Sequence, residues 1–276
     1  MSFMQTRDGT SLYYNDVGNG RPVVLIHGWP LSSDSWEYQL DALVNAGFRV
    51  ISYDRRGFGR SDQPWYGYDY DTLADDLADL MVHLEVWDAA LIGFSMGSGE
   101  VARYLGRHGS SRVSQAAIIS GVTPFLMRTS DNPSGIERTA IQPLHDSLRQ
   151  DRFTTLSQFA TGLMELEGKA EEIAQASRGW FMHQAMAASR KATLDAAEAW
   201  FSTDFREDLA TIDVPTLILH GDNDKGVPVE ISGRAAAKLI RDATYVEFEG
   251  QGHALTITHR EAVNAELLNF LASKNS

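Results

Sequence analysis

The apolar positions of this chain change their spacing again and again, and each change marks an element. PVVLIHG (22–28), FRVISYD (48–54), AALIGFS (89–95), SQAAIIS (114–120) and VPTLILHGD (214–222) are short, nearly continuous apolar runs. Runs of that length read as strands buried on both faces. Between them lie stretches with helical periodicity: SWEYQLDALVNAG, closing on Gly47, then DTLADDLADLMVHLEV, then EVARYLGRHG, closing on Gly109. Upstream, MQTRDGTSLYYNDV predicts a hairpin around Asp8-Gly9. Strand and helix in alternation predict an α/β fold with a mostly parallel central sheet and helices on both faces.

The rhythm stops after Val122-Thr123-Pro124 and resumes near residue 210. The intervening stretch has helical patterning, no strand signal, and the aromatics Phe125, Phe153, Phe159, Trp180, Phe181, Trp200, Phe201 and Phe205. About 85 residues is too long for a plain loop. The expected organisation is a core of residues 1–122 and 210–276 interrupted by a helical cap, or lid, at 123–209. Beyond it come a helix near EISGRAAAKLI, the strand ATYVEFEG and a last helix in HREAVNAELLNFLAS.

Composition narrows the function classes. With 43% hydrophobic residues a sizeable core is affordable, and a net charge of −13 argues against nucleic acid or an anionic membrane as partner. Asp71, Asp75, Asp76 and Asp79 read as the solvated face of an amphipathic helix. The absence of cysteine excludes disulfides, zinc thiolates and a cysteine nucleophile. No apolar run approaches 18 residues, and the N-terminus lacks a signal-like segment. The expectation is a soluble, unprocessed, cytoplasmic protein.

The chemistry-bearing motif is Gly93-Phe94-Ser95-Met96-Gly97, a G-x-S-x-G placed where a strand ends and a helix begins. That context is a nucleophile elbow, in which the serine takes a strained backbone and flanking glycines let strand and helix pass closely. A serine hydroxyl needs a base, and the base an orienting acid, arriving in the chain order Ser, Asp or Glu, His. His253, in Gly250-Gln251-Gly252-His253 after the last strand, fits the base. His220 closes a strand and reads as structural, and His27 as a brace for its loop. His83, His108, His145, His183 and His259 fall in helical patterns. For the acid, His220-Gly221-Asp222-Asn223-Asp224 offers two residues. Asp224, further into the loop, is favoured to reach His253, with Asp222 fixing the loop backbone. The oxyanion donors expected are the N–H groups of Met96 and Trp29, because Pro30 has none. Phe125, Val227 and Leu255 are the expected substrate contacts.

With LIHGWPLSSDSWEYQ, YDRRGFGRSDQP, GFSMGSGEVARY, VTPF, DFREDL, VPTLILHGDND and GQGHALTITH, the chain resembles the α/β-hydrolase superfamily along essentially its whole length. Within it, the chain is similar to the cofactor-free bacterial haloperoxidases (perhydrolases) and aryl esterases, and to their γ-lactamase relatives. The resemblance implies a Ser95–His253–Asp224 triad, an oxyanion hole at Trp29 and Met96, no metal or organic cofactor, a helical cap, and trimers or dimers of trimers. It further implies that halogenation is indirect, through a peracid made by acyl transfer to peroxide. The principal expectation is a γ-lactamase acting on small neutral cyclic amides. Aryl esterase or perhydrolase action is the alternative, and a non-catalytic small-ligand receptor the alternative of another class. An aspartate-nucleophile hydrolase is excluded by Ser95. A dinucleotide-binding enzyme is excluded because no G-x-G-x-x-G follows a strand.

Overall fold

The computed structural model describes residues 2–165 and 171–273. Residues 166–170 of the expected cap lie outside that range. In chain order the elements are β1 (Ser2–Gln5), β2 (Ser11–Val17), β3 (Pro22–Ile26), α1 (Glu37–Asn45), β4 (Arg49–Tyr53), α2 (Tyr70–His83), β5 (Ala89–Phe94), α3 (Met96–His108) and β6 (Val113–Ile119). Then follow α4 (Arg138–Gln150), α5 (Arg152–Leu163), α6 (Glu171–Ala187), α7 (Arg190–Ser202), α8 (Arg206–Thr211), β7 (Thr216–Gly221), α9 (Gly233–Leu239), β8 (Ala243–Phe248), α10 (Leu255–Thr258) and α11 (Arg260–Ala272).

The eight strands form one sheet in the order β1-β2-β4-β3-β5-β6-β7-β8. The N-terminal hairpin is antiparallel, as is its junction with β4, and every other pairing is parallel. Val23, Val24 and Leu25 of β3 are wholly buried, and every residue of β5 and β7 is buried. Strands dry on both faces need helices on both faces. One group pairs α1 with α11, and another packs α2, α3 and α8 together. Each fully buried Val, Leu or Ile side chain contributes about 1.5–3 kcal/mol relative to exposure. Among the described residues no helix is long and apolar enough to cross a membrane.

Two features of this topology place the site. β3 lies between β4 and β5, so the chain proceeds from β3 to one side and then crosses to the other. In open α/β sheets ligands bind at such a reversal, beyond the carboxyl ends of the strands. In addition, α4 to α7 lie between β6 and β7 in sequence and pack on one another. The expected insertion at 123–209 ends inside α8, whose Asp208 accepts from Arg103 of α3 at 3.0 Å.

The acidic helix departs from expectation at one position. Asp71, Asp75 and Asp79 make surface ion pairs with Arg103, Arg107 and Arg7. Asp76, however, is buried and receives both Nε and Nη2 of Arg56 at 2.6 Å. A two-pronged guanidinium satisfies both carboxylate oxygens, which lets the charge leave water. Helical periodicity alone cannot reveal a partner twenty residues upstream.

Candidate active site

Ser95 follows β5 directly and has φ 52° and ψ −118°, a conformation costly for a residue with a side chain. Backbone strain of this kind costs about 1–3 kcal/mol and persists only where the surroundings hold it. Here Ser95 N–H donates to the Ile119 carbonyl at 2.9 Å, and Ser98 Oγ donates to the Ser95 carbonyl at 2.6 Å. The flanking glycines are obligatory on steric grounds. A Cβ at Gly93 would come 2.5 Å from the Gly97 carbonyl oxygen, and one at Gly97 would collide with the Ile26 carbonyl. Sheet, elbow and helix therefore meet backbone to backbone.

The elbow brings the three predicted residues together. His253 Nε2 lies 2.9 Å from Ser95 Oγ, and His253 Nδ1 lies 2.6 Å from Asp224 Oδ2. A carboxylate can only accept, so Nδ1 carries the proton and Nε2 is left to accept from the serine hydroxyl. All three residues are buried. Burial opposes ionisation of Asp224, but the attraction of His253 and hydrogen bonds from His220 and His253 hold its carboxyl well below the usual carboxylate range. Its other oxygen accepts from the backbone N–H of Gly226 at 2.9 Å and of Val227 at 2.8 Å. Asp222 is exposed and accepts from Gly250 N–H at 2.5 Å, on the turn that leads to His253. Of the two carboxylates, Asp224 is the one that meets the histidine.

Met96 opens α3, where backbone N–H groups lack intrahelical acceptors. Its carbonyl accepts from Tyr70 Oη at 2.9 Å. Trp29 lies on the loop after β3, and a Cβ at Gly28 would come 3.2 Å from the Cβ of Ser95, so that loop runs against the elbow. His27 braces it. The ring Nε2 accepts Arg55 N–H at 3.1 Å, and Nδ1 faces the Gly28 carbonyl at 2.9 Å. Burial, together with the Arg55 charge, pushes His27 down to about 3. Arg55 also donates to the His27 carbonyl at 2.7 Å and to buried Glu100 of α3 at 2.5 Å, tying the loop to the elbow helix.

Above Ser95 is a cavity of about 30 Å³ lined by Trp29, Val122, Phe159, Leu163, Trp200 and Val227, with Ser95, Gly226 and His253 completing it. It adjoins a wider vestibule of about 400 Å³, where Gln158, Thr161, Glu165, Asn223 and Lys225 join Phe159 and Leu163 in a mixed lining. Of the expected substrate contacts, Val227 lines the cavity. Phe125 and Leu255 line neither space. Phe125 is buried beneath the Arg206 guanidinium, 5.3 Å from its ring centroid, and Leu255 is fully buried where α10 begins, in the core. Val122, Phe159, Leu163 and Trp200 stand in their place. The aromatic content of the 123–209 stretch pointed to Phe159 and Trp200, but periodicity could not say which rings face inward. Among the described residues no three metal-ligating side chains converge.

The model of the family described as alpha/beta hydrolase fold matches residues 21–260. The chain belongs to the α/β-hydrolase fold family. Among its relatives in that family, a non-heme chloroperoxidase of Kitasatospora aureofaciens is 40% identical over 98% of this chain and 99% of its own. A bifunctional esterase/perhydrolase of Acinetobacter calcoaceticus is 38% identical over 99% of this α/β hydrolase and 100% of its own length. The crystal structure of a bromoperoxidase from Bacillus anthracis superposes with a TM-score of 0.93 at 42% identity, covering 98% of this chain and 99% of that one.

Proposed function

We propose that this α/β hydrolase is a serine esterase and perhydrolase that works through an acyl-enzyme at Ser95. The observation that carries the reading is the unbroken Ser95–His253–Asp224 hydrogen-bond chain beneath a small apolar cavity. Ser95 Oγ attacks the acyl carbon as its proton passes to His253 Nε2. The tetrahedral oxyanion takes hydrogen bonds from the N–H groups of Met96 and Trp29, each such donor being worth about 2.7–4 kcal/mol in comparable sites. His253 then returns the proton to the departing oxygen. In the second half, water or hydrogen peroxide loses a proton to His253 and attacks the acyl carbon, releasing acid or peracid and restoring Ser95. Starting from a carboxylic acid, the first half releases water and the second consumes peroxide.

The cavity lining is apolar apart from the reacting groups, and an unpaired charge is costly to desolvate there. Small, uncharged acyl groups therefore fit it best, and a carboxylic acid would enter in its neutral form. The named relatives favour ester and peracid chemistry over a γ-lactam as principal substrate. A γ-lactam remains a compound to test at the same serine, with His253 protonating the departing nitrogen.

The deciding experiment combines turnover with labelling. A fluorophosphonate is expected to add once, at Ser95. Ester hydrolysis and peracid formation should fall together, by about 10³–10⁶-fold, in Ser95→Ala. Full activity in that variant would overturn the reading. One labelling event without turnover would favour a ligand receptor built on the same fold.

A further inference from the structure

The triad acid is shared by a second histidine. His220, the penultimate residue of β7, is fully buried, and its Nε2 lies 3.2 Å from Asp224 Oδ2 and 3.0 Å from the Val227 carbonyl. Both neighbours are acceptors, so Nε2 carries the proton. The other ring nitrogen, Nδ1, is buried and has no hydrogen-bond partner among the described residues. The backbone of Gly233 at the start of α9 closes it off, since a Cβ there would come 2.9 Å from Nδ1. The ring is thus wedged with its single N–H in hydrogen-bond geometry to the Val227 carbonyl at 3.0 Å and close beside the carboxylate, 3.2 Å from Asp224 Oδ2.

We propose that His220 is a positioning residue for the Asp224–His253 pair, holding Asp224 Oδ2 in place and sharing its negative charge with His253. The proposal rests on the triad reading above. A carboxylate has about four lone-pair sites. Asp224 receives Gly226 N–H and Val227 N–H on Oδ1 and His253 on Oδ2, and His220 Nε2 lies 3.2 Å from that same Oδ2, so the carboxylate is enclosed on every side. Charge drawn toward His220 is not available to stabilise a proton on His253. Without the His220 donor, Asp224 would bind the His253 proton more strongly, and the serine's base would be lost to protonation at a higher pH. Of the charged groups on the neighbouring elements, Glu247 is register-paired with His220 on β8 and bound to Arg234, and Lys225 of the intervening loop is exposed on the vestibule wall. Glu165 reaches the Gly252 backbone beside His253 from the cap side.

The test is the pH profile of kcat/KM for a neutral activated ester, using the full chain. In His220→Met, which removes the N–H, the acidic limb is expected to move up by about half a pH unit or more. In His220→Gln, which restores an N–H donor, the limb should return toward its original position. Gly233→Ala would bring a Cβ 2.9 Å from Cβ, Cγ and Nδ1 of His220 without touching Asp224 or His253, so the ring must shift, and the limb should move with it. It also decides the matter if His220→Met does not fold. In proton NMR, the low-field resonance of the His253–Asp224 hydrogen bond should move in both displacing variants. A purely structural His220 would lower the melting temperature and leave limb and resonance unmoved, and that result overturns the proposal, as does an equal shift in His220→Gln. Persistent ester turnover in Ser95→Ala would instead bring down the triad reading itself, so the two failures are distinguishable.

Discussion

The floor and the roof of the cavity are built on different principles. Its floor comes from the core: Trp29, Ser95, Val122, Val227 and His253 all sit just beyond strand ends or on the loops that follow them. Every reacting atom of the proposed mechanism is there, fixed by hydrogen bonds and by close backbone contact. The roof comes from the inserted helices, as Phe159 and Leu163 of α5 and Trp200 of α7, and apart from the Trp200 indole N–H its side chains are apolar. The two halves meet on Trp29. Its ring packs on Phe159 with centroids 5.2 Å apart and near Trp200 at 6.2 Å, while its indole N–H donates to the Thr193 carbonyl of α7 at 2.9 Å. The proposed function therefore assigns chemistry and selectivity to separate parts of the chain. The floor should respond to substitution in rate, and the roof in preference.

The largest effect that would sharpen this division is expected at the acid. Asp224→Asn should lower kcat by about 10²–10⁴-fold for every acyl group alike, with the fold intact, because the His253 tautomer is no longer enforced. Asp222→Asn retains an oxygen for Gly250 N–H and should alter kcat little, with a loss of about 1 kcal/mol in stability at most. Steady-state kinetics beside thermal melts separate the two, and the reverse ranking would show that the loop presents the other carboxylate.

A roof substitution should do something else. Leu163→Ala removes apolar volume above Ser95 without touching a polar atom. The kcat/KM ratio for a butyrate over an acetate ester of the same alcohol should rise by about 10-fold, since a methylene or two in an apolar pocket changes discrimination on that scale. Activity on the acetate ester should persist. An unchanged ratio with a general loss of rate would break the division and make the roof part of the catalytic apparatus.

The smallest effect is on acid stability. Burial opposes ionisation of Asp54, yet hydrogen bonds from the Arg60 and Ser33 side chains and from their backbone N–H groups hold it below the usual carboxylate value, as Asp224 is held by its own donors. A carboxyl depressed in the folded state stabilises the fold above its unfolded value, about 3.9, and that contribution is lost as pH falls through the folded-state value. The melting temperature should thus hold through neutral and mildly acidic pH as far as these two groups are concerned, and decline below about pH 4. Asp224→Asn should remove part of the decline, and an unaltered acid slope in that variant would count against the carboxylate's being held ionised by its neighbours.

The same division explains what the sequence could disclose. The floor was legible because its constraints are local: Ser95 between Gly93 and Gly97, His253 after its strand, and Asp224 a few residues beyond β7 are each dictated by the turn that contains them. The core strands could be read for a similar reason, since a strand buried on both faces has no polar position to confuse the pattern. The roof was not legible. Which of its rings face inward depends on how α4 to α7 lean on one another, and outside it Phe125 packs under Arg206 and Leu255 in the core, contacts with distant elements that periodicity does not show. Asp76 was misplaced on the surface for a related reason: its partner Arg56 lies on another element, and hydrophobic periodicity does not see pairs.

The glycines around the elbow have a consequence for how this protein can change over generations. Gly28, Gly93 and Gly97 stand where one stretch of chain touches another with no room for even a methyl group. None of them has a side chain that could take part in a reaction. In a library sampling every residue at every position, these three should nonetheless be about as intolerant as Ser95, whereas the roof should accept many replacements. The positions most resistant to drift would then include several with no chemistry to protect, and a map of tolerated substitutions would outline the shape of the floor as sharply as it marks the reacting residues.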